Sequence, residues 1–329
     1  MTLLNRNTKR KQRARPLVSF LLPMMLCTSL LSCTHRNRSP VIAIIESTGG
    51  TSFWRLFSQN VSERAQHFGL VLNWSDPQSA AEYEVQAKLL SNAVQQHVNG
   101  IILAPSHQLV LAEGVRRAYA AGIPVVIVDS PIAVQPSEYV TSIGCSDEAI
   151  GFIAAQQFTQ TIGSRARILV VGASPTLQST AQREESLRRA LARFDPGARI
   201  VASRYSLSDW ARARRTTLDA LSEKPEINAV FSSDDFSAHG VLNALRSIPP
   251  SRHLTSVTVD NGAESVEGVR SGLLSAAIAC DAGTIGRLAV EAMHDALEGR
   301  PVEKLIQTEA ILITKKNIDT PAVHRIVEP

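Results

Sequence analysis

The chain has 329 residues, 34 basic and 30 acidic side chains, a formal charge of +4 and a pI near 9.0. Six of the basic residues (Arg6, Lys9, Arg10, Lys11, Arg13 and Arg15) fall in the first 15 positions without an acid, so removal of residues 1–32 leaves 28 basic against 30 acidic. The high pI therefore belongs to the N-terminus, which excludes a nucleic-acid footprint on the body, and just under 300 remaining residues suffice for two domains with proper cores.

In chain order, the first element is that basic segment followed by the apolar run "LVSFLLPMMLCTSLL". The run is shorter than the roughly 20 residues that span a bilayer and contains Pro23, so it reads as an export signal rather than a retained anchor. Leu30, Leu31 and Ser32 ahead of Cys33 resemble a bacterial lipobox, which makes Cys33 the lipid-bearing first residue after a signal of residues 1–32 and starts a short tether over 33–40. The alternative is an ordinary secretory signal in which Cys33 is incidental. Of the four cysteines, Cys27 lies in the signal, and the body keeps only Cys145 and Cys280, two thiols that an oxidising compartment allows to pair.

From residue 41 short apolar runs alternate with amphipathic stretches. "VIAIIE" precedes a helical pattern from Phe53 to Phe68, "LVLNW" one from Glu82 to Val98, "GIILAP" one from Leu109 to Ala121, and "IPVVIVDS" closes the series. After "YVTSIGCSDEAIG" the pattern resumes with "ARILVVG", a helix from Ser179 to Phe194, "ARIVAS", a helix from Asp209 to Leu221, "INAVFSSDD", a helix to Leu245 and "LTSVTVD". Unbroken β-branched runs alternating with helices predict parallel strands buried on both faces. The fold class is α/β, with two similar doubly wound parallel-sheet domains whose strand C-termini share an edge. "LLSAAIACD", a helix from Thr284 to Leu297 and "LIQTEAILIT" are placed to recross between the domains.

Catalytic and cofactor signatures are missing. The turn in "IIESTGGTSF" has neither GxGxxG nor GxxxxGK[ST], no two histidines sit at a ligand interval, and Ser47 and Ser174 lack the surroundings of a nucleophile elbow. No cofactor, no metal and no enzymatic activity are expected. Of the pair Asp234–Asp235, the second is read as the cap of the following helix. The remaining signal is the repeated placement of polar residues at strand ends: Ser47, Asp129, Asp234 and Asp260. Carboxylates on that edge accept several hydroxyl protons each. Phe53 and Trp54 offer aromatic faces and Arg183 a rigid fork for a hydroxyl or ring oxygen. Taken singly, each Asp reads as a cap or loop residue and the two aromatics as core.

The stretches "IAIIESTGGTSFWRLFSQNVSERAQHFGLVL", "AGIPVVIVDS", "STAQREESLRRAL", "EKPEINAVFSSDDFSAHGVLNAL" and "VTVDNGAESVEGVRSGLLSAAIACDAGTIGRLAVE" together resemble the type 1 periplasmic solute-binding proteins of ABC transporters, in the ribose-binding branch, over residues 41 to about 316. The resemblance implies two lobes that close on a sugar about a multi-strand hinge: 41–143 plus 281–309, and 144–280 plus 310–329. It places Ser47, Thr51, Phe53 and Trp54 among the first-loop contacts, and Asp129, Arg183 and Asp260 at the family's ligand-binding carboxylates and arginine. Asp234 stands where asparagine is usual, Ala104 where asparagine is common, Ser130 where ribose binders have a second arginine, and Cys280 where a glutamine reaches the ligand. The aromatic near residue 209 falls on Ser208 or Trp210. These departures make ribose doubtful as ligand and leave another sugar, a polyol or an amine-bearing molecule.

The resemblance also places Cys145 and Cys280 at adjacent crossovers, where a hinge disulfide is one reading and two small buried thiols the other. It implies a monomer at the periplasmic face of a bacterial membrane, held by its lipid alone, that hands cargo to an ABC permease and ATPase. The alternative is a sensory receptor presenting a small molecule to a histidine kinase or chemoreceptor. A repressor of the lactose-repressor type shares the ligand-domain fold but calls for an N-terminal helix-turn-helix where this chain has an export signal.

Overall fold

The computed structural model describes residues 39–249 and 251–327. The signal, Cys33 and most of the 33–40 tether lie outside the described residues.

The first series runs β1 (Val41–Ile45), α1 (Ser52–His67), β2 (Val71–Trp74), α2 (Tyr83–Gln95), β3 (Gly100–Leu103), α3 (Ala112–Ala120), β4 (Val125–Val128) and β5 (Thr141–Cys145). The second runs α4 (Asp147–Thr161), β6 (Arg167–Gly172), α5 (Gln178–Phe194), β7 (Arg199–Tyr205), α6 (Trp210–Glu223), β8 (Ala229–Ser232), α7 (Asp235–Arg246), β9 (Thr255–Val259), α8 (Ala263–Ser271) and β10 (Ala276–Cys280). Then come α9 (Ala282–Leu297), β11 (Leu305–Thr308), β12 (Ala310–Ile313) and the short α10 (Pro321–His324). Among the described residues the strands form two six-stranded sheets, β2-β1-β3-β4-β5-β11 and β7-β6-β8-β9-β10-β12. Every pairing is parallel except β10 with β12.

The apolar runs explain the layering. β3 and β4 are buried at every position, as strands covered on both faces must be. In the first lobe Trp54, Phe57 and Val61 of α1 pack with Ile285, Val290 and Met293 of α9 on one face, and Leu90 of α2 with Val115 of α3 on the other. In the second, α4 and α5 bury Ile150, Phe158 and Leu187 on one face, and α6 and α7 bury Leu221, Val241 and Leu245 on the other.

The chain passes between the lobes three times. α4 follows β5 of the first sheet but packs on the second, α9 follows β10 of the second but packs on the first, and "LIQTEAILIT" divides at Glu309 into β11 and β12, one in each sheet. Cys145 pairs in register with Thr308, and Cys280 with Ala310, so the crossings run side by side. A disulfide joins Cys145 to Cys280 there, with Cα atoms 6.0 Å apart.

Two glycines set distances that matter for the cleft. A Cβ on Gly151 of α4 would stand 2.5 Å from the Leu187 nitrogen and 2.6 Å from the Arg183 carbonyl, so its absence lets α5 lie against α4 and brings Arg183 to the α4 N-terminus. Asp129, just past β4, has φ +62°, and Gly144 lies against its backbone, where a Cβ would come within 3.2 Å of the Asp129 carbonyl.

Candidate ligand-binding cleft

The C-terminal ends of the strands face each other between the lobes around a narrow cleft with room for about 70 Å3 of solvent. The first lobe contributes Ser47, Thr48, Thr51, Phe53, Trp54 and Asp129, and the second Arg183, Ser208, Asp234, Asp235, Asn261 and Cys280, with Ala173, Leu177, Phe236 and Val259 as apolar wall. The lobes meet across it. The Phe53 N–H donates to Asp235 Oδ2 at 3.2 Å, Gln108 to Gln178 at 2.9 Å, and the Ala80 N–H to Ser208 Oγ at 3.3 Å.

Each wall follows from local chemistry. The Thr51 hydroxyl caps α1 by accepting the Trp54 N–H at 3.4 Å, which starts the helix so that its first turn presents Phe53 and Trp54. Their rings meet edge to face at 5.0 Å, and Trp54 meets Phe57 likewise at 5.3 Å. Opposite, Arg183 is only 7% exposed. Its Nε donates to Asp147 Oδ1 at 2.8 Å and one terminal nitrogen to the Ser233 carbonyl at 2.8 Å, while the other lies 3.7 Å from Asp129 Oδ1. The guanidinium thus reaches across the cleft from α5 to the end of β4.

Ser47, Thr51, Phe53, Trp54, Asp129, Arg183, Asp234 and Cys280 are brought together here. Three other expected ligand residues stand elsewhere. Ser130 is buried beside Asp129, with its hydroxyl 3.4 Å from that carboxylate, and does not line the cleft. Trp210, 48% exposed, lines an adjoining groove, and Ser208 takes the cleft position because Leu207 and Ser208 both turn through positive φ. Asp260 faces the same groove. Its carboxylate accepts the Ser265 hydroxyl at 2.5 Å and the Gly262 N–H at 3.0 Å, and its neighbour Asn261 lines the cleft.

The Asp234–Asp235 assignment is corrected. Asp234 is the cap of α7, accepting the Ser237 N–H at 3.0 Å and the Ser237 hydroxyl at 2.6 Å. Asp235, expected to cap, opens the helix and crosses the cleft to Phe53. Thr48 and Asn261 of the cleft wall were also missed by sequence reasoning, as was Asp147. Asp147 sits in "CSDE", where Ser146 caps α4 by accepting the Ala149 N–H, a pattern that marks a helix start and nothing more.

Burial dominates the electrostatics. It pushes Asp234 up to about 6 against the Ser237 hydrogen bonds, and Asp147 up to about 7 against the pull of Arg183. Asp260 rises to about 8 through burial and then the nearby Asp235 charge, and Glu46, at the end of β1, to about 8 through burial. Burial also raises Asp129, with Arg183 opposing. Burial disfavours the charge of Arg183, but Asp147 and then Asp129 outweigh it and hold the guanidinium cationic.

These raised carboxylates hold protons that the unfolded chain releases near pH 4. Their contribution to stability is complete below that value and is lost as pH rises through 6 to 8, at up to about 1.4 kcal/mol per unit per group. The ligand-free protein is therefore expected to melt at a lower temperature at pH 9 than at pH 6, and Asp260→Asn to flatten the fall between pH 7 and 9. Calorimetric melts across that range check this, and a melting temperature that climbs with pH would contradict the assignment of burial as the ruling effect.

Two doubly wound sheets, facing each other over a polar cleft and joined by three side-by-side crossings, define the class of two-lobed binding proteins with the type 1 periplasmic fold. Residues 42–301 match the family model described as the periplasmic binding protein domain, and the chain belongs to that family. It is similar to the ribose import binding protein of Bacillus subtilis, 24% identical over 275 residues that cover 84% of this chain and 87% of the relative. It is also similar to the D-allose-binding periplasmic protein of Escherichia coli, 23% identical over 313 residues that cover 90% and 96%. Among solved structures, an ABC transporter solute-binding protein from Agrobacterium vitis with bound D-fucose superposes with a TM-score of 0.84 at 26% identity, covering 88% of this chain and all of that one. A carbohydrate transporter solute-binding protein from Agrobacterium radiobacter in complex with D-arabinose, at 20% identity, covers 89% of this chain and all of its own with the same TM-score.

Among the described residues no helix is long and apolar enough to cross a membrane, and no group of three or more His, Cys, Asp or Glu side chains is placed to hold a metal ion.

Proposed function

We propose that this protein is the binding component of an ABC importer and captures a monosaccharide or closely related polyol between its lobes. The observation that carries the reading is the cleft itself. Strand-end carboxylates and Arg183 converge from both lobes beside the Phe53–Trp54 pair, which gives the cleft an apolar aromatic wall for a sugar ring. The relatives named for ribose and allose, and the D-fucose and D-arabinose complexes, support the sugar class. A site that hydrogen-bonds hydroxyls rejects analogues that leave its buried groups unpaired, so fixed acids and a fixed arginine give the specificity. The lobes 41–143 plus 281–309 and 144–280 plus 310–329 hinge at the three crossings, and closure removes water from the ligand. Export by residues 1–32 and a lipid on Cys33 hold the receptor at the membrane where its cargo is handed on.

A ligand that binds only the folded form raises the melting temperature. In a thermal-shift screen of the mature protein against pentoses, hexoses, deoxy sugars and polyols, with amino acids and nucleosides as controls, a member of the sugar and polyol set is expected to give the largest rise. A rise confined to the controls would overturn the reading.

A further inference from the structure

The ionisable groups of the cleft do not balance. Asp129, Asp234 and Asp235 line it, Asp147 stands directly behind, and Arg183 is the guanidinium among them. The direct ion-pair contact of Arg183 is with Asp147 at 2.8 Å, its second hydrogen bond goes to the Ser233 carbonyl, and Asp129 is 3.7 Å away. Asp234 receives its two hydrogen bonds from the neutral donors of Ser237, and Asp235 is met by the Phe53 N–H and the Thr51 side chain. In the adjoining groove, lined by Arg55, His239, Asp260 and Glu264, the His239 Nδ1 lies 3.2 Å from Glu264 Oε2. Hydroxyls of a neutral sugar donate to carboxylates but bring no charge, and closing the lobes over clustered buried anions is unfavourable unless a cation or a proton joins them.

We propose that the ligand carries a protonated amine, as an amino sugar or amino polyol does, and that Asp234 and Asp235 hold it. This rests on the sugar and polyol reading of the cleft and narrows its substrate class. An ammonium supplies three donors, which suit acceptor-only carboxylates that line the cavity, and the bonds so formed are charge-assisted. The ring of the same molecule packs against Phe53 and Trp54, while its hydroxyls meet Arg183 and Asp129. Raised proton affinity at Asp234 and Asp235 is the electrostatic counterpart, because an ammonium supplies the positive charge that a proton would otherwise bring to these buried acids.

The test is calorimetry with matched sets: hexoses bearing an amine at different carbons and 1-amino-1-deoxyhexitols, each against its hydroxyl parent and its neutral N-acetyl derivative. At least one amine should bind about tenfold or more tighter than both neutral partners. Asp234→Asn and Asp235→Asn keep the shape of the side chain and should each shrink that ratio about tenfold or more, and because the ratio is internal to each variant, partial misfolding does not imitate the effect. Neutral parents bound as tightly as their amines would overturn the proposal and leave sugar capture standing. An amine preference unchanged in both variants would overturn the assignment to these aspartates. Binding of neither series would overturn both readings.

Discussion

Arg183→Ala is expected to abolish ligand binding and to remove several kcal/mol of stability at once. The guanidinium is buried between Asp147, the Ser233 carbonyl and Asp129, so truncation leaves at least one carboxylate without its ionic partner in a dry site. Breaking a buried pair from one side typically costs about 3–5 kcal/mol, more than an exposed ion pair by an order of magnitude. Arg183→Lys keeps the charge but not the fork, and one ammonium cannot reach Asp147, Ser233 and Asp129 in the same geometry, so it should recover part of the stability and little of the binding. The double change Arg183→Ala with Asp147→Asn removes the stranded charge and should regain stability without regaining affinity. Urea unfolding and calorimetry separate the two quantities. A single variant within 1 kcal/mol of the parent, or one that still binds, would show that the guanidinium is not the keystone of this wall.

How far the sequence could have told this depends on the distance over which each feature is decided. The central strands were legible because burial on both faces demands unbroken apolar runs such as "GIIL" and "VVIV", each buried throughout. β2 and β7 lie at sheet edges, and β2 alternates exposed and half-buried positions, so its "VLNW" reads as an interior strand only by analogy with its neighbours. Strand-end acids were legible as a class, but the roles within Asp234–Asp235 turn on a one-residue difference in where α7 begins, below the resolution of any periodicity. The same holds for Ser208 and Trp210, where two consecutive positive-φ residues redirect the chain. Asp147 was invisible for another reason. Its partner Arg183 is 36 residues away, and what joins them is the close approach of α4 and α5 at Gly151, a tertiary fact that a helix-start pattern does not carry.

Replacing Cys145 and Cys280 together by alanine should lower unfolding stability by an amount comparable to the loss of Arg183, through the other side of the equilibrium. The bond closes a separation of 135 residues, and the chain-entropy relation for such a loop gives about 5 kcal/mol at 25 °C from the narrowed unfolded ensemble. Its position adds a local effect. It ties the end of β5 in one sheet to the end of β10 in the other, beside the third crossing at Glu309, where the Cys145 sulfur lies 3.6 Å from the Glu309 carbonyl. Two of the three crossings are therefore linked covalently, and without the bond they rotate more independently, so the lobes should open wider and ligand dissociate faster. The parent under a strong dithiol reductant should converge on the double variant in both its urea midpoint and its dissociation rate, which separates the bond from the two side chains. Non-reduced intact mass showing two free thiols, or a variant with an unchanged midpoint, would remove the bond from the account. A variant less stable but with unchanged release would place the bond's whole effect in the unfolded chain and leave the hinge to the three strands.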